Sequence, residues 1–470
     1  RAIRHLAGAV VRSLIGTGGH MFTARFCRFA ETGGLIISAM VWVMACSTSA
    51  EQRTGLDGGS DGPNEGQSDA IADDAAAAAD ASSGVNECAA QLVAAGFHTC
   101  VRSLDGRIWC WGVNGHGQLT GSDLAESVPI PRAVSGLRAP ARYVAVGGAN
   151  TCAVLADESV WCWGDNSSGQ LGIGTITGVE PVPSQITGLD GQVVSIDIES
   201  GYDPMDNSEE PETRVSLACA VKADGTLWCW GANSRGQLGD GQLEGSPVPS
   251  PTRVDALGSD VIAVSVSALS ACALKANGKV WCWGYNVYGQ AGDGTTSDVR
   301  LPVEVVGLDN VVEVANGGSH RCALDASSRV WCWGKNVSGE CGVGSPSKPD
   351  RVPVPAQVTI PYGKPVHVAA SAGTTCVLLE DGTISCWGNN SQGQLGNGTV
   401  LNTMPYGTTS PTQVLGLSGV ESVACGGATC ASTHEAVWCW GDNYYGELGN
   451  GTTSTDGGVP TPAKVLHYCP

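Results

Sequence analysis

The residues best equipped for chemistry in this chain are its 20 cysteines. Fourteen fall into seven couples, each with eight or nine residues between its members. Thiolates at regular spacing serve either metals or disulfides. A nine-residue gap with no histidine partner is not a zinc pattern, so no metal ligands are assigned. Cysteines at this count and regularity place the chain in an oxidising compartment.

Cys46 belongs to a different setting. Arg25 and Arg28 precede an apolar run over 35–45 that ends in Val-Met-Ala-Cys. Its 11 residues span about 16 Å as a helix, half of a ~30 Å hydrocarbon core. The run therefore reads as the core of a signal peptide, over 21–45 with Met21 as its start, and 1–20 as upstream sequence or disorder. Val-Met-Ala-Cys resembles a bacterial lipobox, with Val in place of the commoner Leu. The resemblance implies cleavage before Cys46 and lipidation of its sulfur. Ser47 is similar to the signal that sends such lipoproteins to the outer membrane. Residues 46–87 carry nine acidic side chains, one basic and no aromatic. Such a segment cannot bury enough apolar surface to offset its ordering entropy, and it reads as a disordered linker.

The remaining chemical candidate is acidic. Residues 199–213 hold six carboxylates with Tyr202 and Met205, between strand-like runs at 193–198 and 215–221. Insertions at equivalent turns of a repeat array fall on one face, often the one that binds. Tyr202, Asp203, Asp206, Glu209, Glu210 and Glu212 are the candidate binding residues. A tolerated surface loop is the plainer reading, and a calcium site a further one. No Gly-x-Ser-x-Gly elbow, phosphate loop, His-x-x-x-His pair or sialidase-type Asp box appears, so no catalytic residue and no cofactor are assigned. The net charge of −20 opposes nucleic acid or anionic lipid as a partner, because phosphate binding is driven by Lys and Arg.

These residues need elements to hold them. The chain has 66 Gly and 23 Pro but 4 Phe, which suits many short strands joined by turns. Trp-Cys-Trp-Gly recurs from Trp109, Trp161, Trp228, Trp281, Trp331 and Trp438, with Ser-Cys-Trp-Gly from Ser385. The motif glycines lie 52, 67, 53, 50, 54 and 53 residues apart. Each period holds four strand-like runs. In 143–189 they cover 143–146, 151–155, 160–163 and an edge run at 181–186, where Pro is tolerated. The expectation is an all-β fold, a seven-bladed β-propeller of four-stranded blades over 88–470, preceded by the signal segment and linker.

The same residues resemble the regulator of chromosome condensation repeat. Gly96-Phe-His-Thr99, the hairpins Asp105-Gly106, Asp224-Gly225 and Asp381-Gly382, and seven asparagines from Asn114 to Asn443 carry the likeness. So do Gly-Gln-Leu-Gly loops at 169–172, 236–239 and 393–396. The resemblance implies seven blades, and two cysteines per repeat look like extracellular bacterial members. His98 and His320 occupy a turn position that is structural in the family.

Within each repeat one Cys precedes the hairpin and one follows it, so they face each other across antiparallel strands. The expected pairs are Cys100–Cys110, Cys152–Cys162, Cys219–Cys229, Cys272–Cys282, Cys322–Cys332, Cys376–Cys386 and Cys430–Cys439. The last has a turn one residue shorter. Each loop closure contributes about 2–3 kcal/mol. Cys88–Cys469 is expected to lock the ring shut. Cys341 and Cys425 are left as a pair or as free thiols. The tryptophans flanking each second Cys share one strand face and are expected to pack between blades.

The functional expectation is a monomeric, non-enzymatic propeller on a bacterial outer membrane, touching the membrane through its lipid alone. It binds a protein or glycan by loops at one face, with inhibition of a secreted enzyme as a special case. The alternatives are guanine-nucleotide exchange, by resemblance, and a surface hydrolase.

Overall fold

The computed structural model describes residues 89–119, 125–202, 214–242, 245–344, 350–403, 406–455 and 457–466. Among these residues the strands form seven four-stranded sheets, each built from four consecutive strands in chain order. Blade 1 consists of Gln91–Ala95, His98–Arg102, Ile108–Val113 and Ser127–Ala133. The innermost strands of blades 2 to 7 are Ala141–Gly147, Val193–Tyr202, Val261–Ser267, Val311–Asn316, Pro365–Ser371 and Val420–Cys425. Together the seven innermost strands wall a central channel.

All seven expected disulfides within blades are present, with Cα atoms 4.1–4.2 Å apart. Each joins residues directly opposite on the second and third strands. The short turn of blade 7 keeps that register: Ser432 faces Val437 there, whereas Arg102 faces Ile108 in blade 1.

One joint is repeated around the ring. The second Trp of each motif is buried to 1 % exposure or less. Its indole N–H donates to a backbone carbonyl of the preceding blade, as Trp163 to Gln118, Trp230 to Gln170 and Trp440 to Gln394, at 2.8–2.9 Å. The acceptor is the residue in the second place of the Gly-Gln-Leu-Gly loop, and in six of the seven joints a glycine in its last place makes room, blade 1 having Thr120 there. A Cβ on Gly172 would lie 2.8 Å from Trp230 Nε1, at a φ of +69°. The repeated asparagine shapes the same loop by accepting the N–H five residues on, as Asn166 does from Leu171 at 3.1 Å. Blade 7 meets blade 1 by the same device, Trp111 donating to Glu447 O at 2.8 Å.

The first Trp of each motif is half-buried. Among the described residues cations lie over five of these rings: Arg107 at 6.0 Å on Trp109, Arg138 at 4.7 Å on Trp161, Lys222 and Lys275 at 5.4 Å on Trp228 and Trp281, and Arg329 at 5.5 Å on Trp331. So one tryptophan of each pair packs between blades while the other covers the outside of its sheet.

Two expectations are corrected, and one left open is settled. The outer strand of blade 2 is Val179–Gln185, not 181–186, because Pro181 and Pro183 sit on an edge that needs no ladder N–H. The acidic segment does not begin at 199: Glu199 pairs with Leu217 and Tyr202 with Arg214, extending the hairpin by four residues. Cys341 and Cys425 are both buried, and neither is bonded to the other. Cys46, Cys88 and Cys469 lie outside the described residues.

Candidate functional site

Adjacent blades belong to separate sheets, so the inner edges of their first strands need partners from side chains. Gln91 supplies both kinds: its amide donates to Val144 O at 2.9 Å and accepts the Val144 N–H at 3.0 Å. Asp197 Oδ2 accepts the Val266 N–H at 2.7 Å. Glu313 Oε2 accepts the Val368 N–H at 3.1 Å, and its other oxygen lies 2.6 Å from His367 Nδ1. His367 Nε2 lies 3.1 Å from Val423 O. Glu199 Oε1 accepts the N–H groups of Gly148 and Ser200 at 2.7 and 3.0 Å.

These links draw titratable groups to the channel. Burial pushes the Asp197 carboxyl up to about 7, against its bonds from Val266 and Ile198. Burial also pushes Glu199 up to about 8, and nearby Asp197 adds to the rise. Burial opposes charge on His367, but the Glu313 carboxylate outweighs it and holds the imidazole above its usual value. Burial pushes the Cys425 thiol up to about 12, so it is no nucleophile at neutral pH. His98 and His320 are buried against Thr151 and Thr375 at 3.1 and 2.8 Å. Burial brings both down to about 3, which makes them neutral structural groups.

At the end where the innermost strands finish, the channel widens into a cavity of about 350 Å³. Glu199, Ser267, Ser270, Tyr285, Ser319 and Ser371 line it, on strand ends and turns of blades 3 to 6. Glu199 hangs from the extended strand Val193–Tyr202, whose residues Glu199, Ser200 and Gly201 reach this mouth. Asp203, Asp206, Glu209, Glu210, Glu212 and the side chain of Tyr202 lie outside the described residues. Of the acidic segment, then, the structure brings Glu199 to the cavity. Among the described residues no three His, Cys, Asp or Glu side chains converge to hold a metal ion.

The sequence reading missed Asp197, the Glu313–His367 pair and Arg321, a buried neighbour of the cavity. Their signal lies in comparing repeats position by position. Arg321 stands opposite its motif Trp, where blades 1, 2, 6 and 7 have Thr99, Thr151, Thr375 and Thr429.

The model of the RCC1-like domain matches residues 212–469. Models of the regulator of chromosome condensation (RCC1) repeat match 105–154 and 157–203, and again 90–118 and 142–170. The chain is 27% identical over 360 residues to the E3 ubiquitin-protein ligase HERC2 of Homo sapiens, a match covering 74% of this chain and 7% of that protein. It is 31% identical over 236 residues to the ultraviolet-B receptor UVR8 of Arabidopsis thaliana, 49% of each. The chain thus spans a small part of the first relative and about half of the second. Among solved structures, Prp20p from Saccharomyces cerevisiae, described with its binding to Gsp1p and histones, superposes with a TM-score of 0.65 at 22% identity, over 78% of this chain and 87% of that one. Human WBSCR16 superposes at 0.64 and 22% identity, over 76% and 93%. These two likenesses show the fold.

Proposed function

The chain belongs to the RCC1-like domain family, and from that premise we propose that it is a binding propeller that acts by holding a partner rather than by turnover. The observation that carries this reading is the cavity at one end of the ring, beside the long hairpin of Val193–Tyr202 and Arg214–Lys222. A protein partner is favoured, in line with the partners described for Prp20p. Seven disulfides support an oxidising setting. The apolar run over 35–45 ending in Val-Met-Ala-Cys, and the acidic composition of 46–87, support display on a bacterial surface as a lipoprotein.

A second reading has its own observation at the opposite end of the channel. A bulge near the start of the innermost strand turns out Val194, Ile262, Val312 and Val366 on four consecutive blades, at 43–47 % exposure. The arc is flanked by exposed Arg142 and Glu421 at the equivalent positions of blades 2 and 7. Four neighbouring exposed aliphatics favour a protein contact.

Cross-linking capture with the oxidised full chain separates the two. One variant replaces 203–213 by Gly-Gly, and another changes Val194, Ile262, Val312 and Val366 to Ser. A partner held by the parent and the second variant but lost by the first supports the cavity end. Loss by the second variant alone moves the site to the aliphatic arc. Specific turnover of a glycan or peptide by the purified chain sinks the binding reading.

A further inference from the structure

Arg321 is wholly buried. Its equivalents in blades 2, 6 and 7 are threonines whose hydroxyls donate to loop carbonyls of the preceding blade, at 2.7–3.1 Å. Arg321 instead turns toward the cavity wall. Its Nη1 donates to Gly318 O at 3.0 Å and His320 O at 2.8 Å. Its Nη2 donates to Ser267 Oγ at 3.1 Å and to Ser270 Oγ. Its Nε has no hydrogen-bond partner. All four acceptors are neutral, and among the described residues no carboxylate pairs with the guanidinium. A buried charge without a counter-charge is costly, and a fold retains it most readily where an anion completes the site.

Three of the groups bound by this arginine, Ser267, Ser270 and Gly318, also line the cavity. Ser267 Oγ donates to Ser270 O at 3.1 Å. The two hydroxyls lie 3.0 Å apart, so with Ser267 committed to Ser270 O the Ser270 hydroxyl donates to Ser267 Oγ. A ligand in the cavity takes that hydrogen bond in exchange for this one, with the guanidinium polarising both hydroxyls from behind. Ser319 and Ser371 add hydroxyls on the same wall, and Leu269 and Tyr285 add apolar surface. We propose that the channel mouth is a carboxylate-binding pocket, in which one carboxylate accepts from the Ser270 and Ser319 hydroxyls within the field of Arg321 and an apolar body rests on Leu269 and Tyr285. The charge is set at one. Among the described residues a single buried guanidinium stands behind this wall, and the chain carries −20 overall, so a dianion such as phosphate is repelled. The carboxylate belongs either to a small free acid or to the C-terminus of a partner chain.

The pocket goes beyond the binding reading, because a small acid can fill it with no partner present. The test titrates the full chain, by calorimetry and by shift of the melting temperature, with sodium butyrate and with acetyl-Ala-Ala-Leu bearing a free or an amidated C-terminus. The variants are Arg321→Thr, which restores the residue of four other blades, and Ser270→Ala. Saturable binding of butyrate, weakened about tenfold or more in Arg321→Thr, establishes the site with a free acid as its ligand. Binding of the free-carboxylate peptide alone, with the amide inert and the same loss in Arg321→Thr, establishes it with a chain terminus. If Arg321→Thr fails to melt cooperatively, Ser270→Ala decides by the same loss. No saturable binding of either carboxylate, or equal affinity in parent and variants, overturns the proposal.

Discussion

Glu447 shows how one atom changes a repeated position. Five blades have Gln there, each accepting the N–H two residues back through its side-chain oxygen, as Gln170 does from Ser168 at 2.9 Å. Glu447 keeps that bond, from Tyr445 at 2.8 Å, but its other oxygen is buried without a partner. In blade 5, Glu340 has Lys335 Nζ at 3.7 Å, whereas among the described residues no cation pairs with Glu447. Burial, with Asp442 adding, pushes the Glu447 carboxyl up to about 7. Its value in the unfolded chain is near 4.3, so the folded state holds the proton more tightly. The stability this gives is fully present below about pH 4 and is lost as pH rises through 7. Glu447→Gln is therefore expected to raise stability above pH 7 by about 1–3 kcal/mol and to leave it little changed below pH 5. Urea titrations across that window check it. The parent slope should flatten without vanishing, because Asp197 and Glu199 are raised in the same direction. A slope identical in the two proteins removes Glu447 from the account.

The joint between blades makes its prediction at the scale of the element. Gly172 stands where a Cβ would meet the Trp230 indole, at a φ that side chains resist. Gly172→Ala combines a steric clash with backbone strain and is expected to cost about 2–4 kcal/mol. Gly188, also at positive φ but with nothing within 4 Å, retains the strain alone, so Gly188→Ala should cost less. Chemical denaturation of both variants measures the difference, and equal losses mean that the wedge does not carry the joint. This level of the fold was legible in sequence, because tryptophan, cysteine and glycine recur at fixed offsets and turn residues fall between them. The channel was not. Gln91 and Val144, or Asp197 and Val266, are 53 and 69 residues apart, and their meeting depends on closing the ring. The hairpin over 199–202 was hidden as well. Ser-Gly-Tyr carries no strand alternation, and the pairing comes from the opposite strand, Arg214–Lys222, which continues past its apolar residues.

For the whole molecule the open question is the seam. Six joints connect blades that follow one another in the chain, while blades 7 and 1 lie at opposite ends of the propeller sequence. Across the seam Trp111 bonds Glu447 O, Gly451 donates to Pro129 O at 2.9 Å, and Gly427 donates to Gly96 O. The bond from Gly451 has counterparts at interior joints, from Gly174 to Pro249 at 2.9 Å and from Gly241 to Arg300 at 3.1 Å. With no covalent tie, opening the seam frees one joint without unfolding a blade, and Gly451 should exchange its amide hydrogen faster than Gly174. A Cys88–Cys469 bond closes a loop of several hundred residues and suppresses that opening. The expectation is matched protection of Gly451 and Gly174 in the oxidised chain, with Gly451 alone accelerating in Cys88→Ser. Hydrogen exchange followed by mass spectrometry resolves the two sites. Unchanged exchange at Gly451 in that variant means that the noncovalent contacts of the seam, the tryptophan joint among them, hold the ring shut without the disulfide.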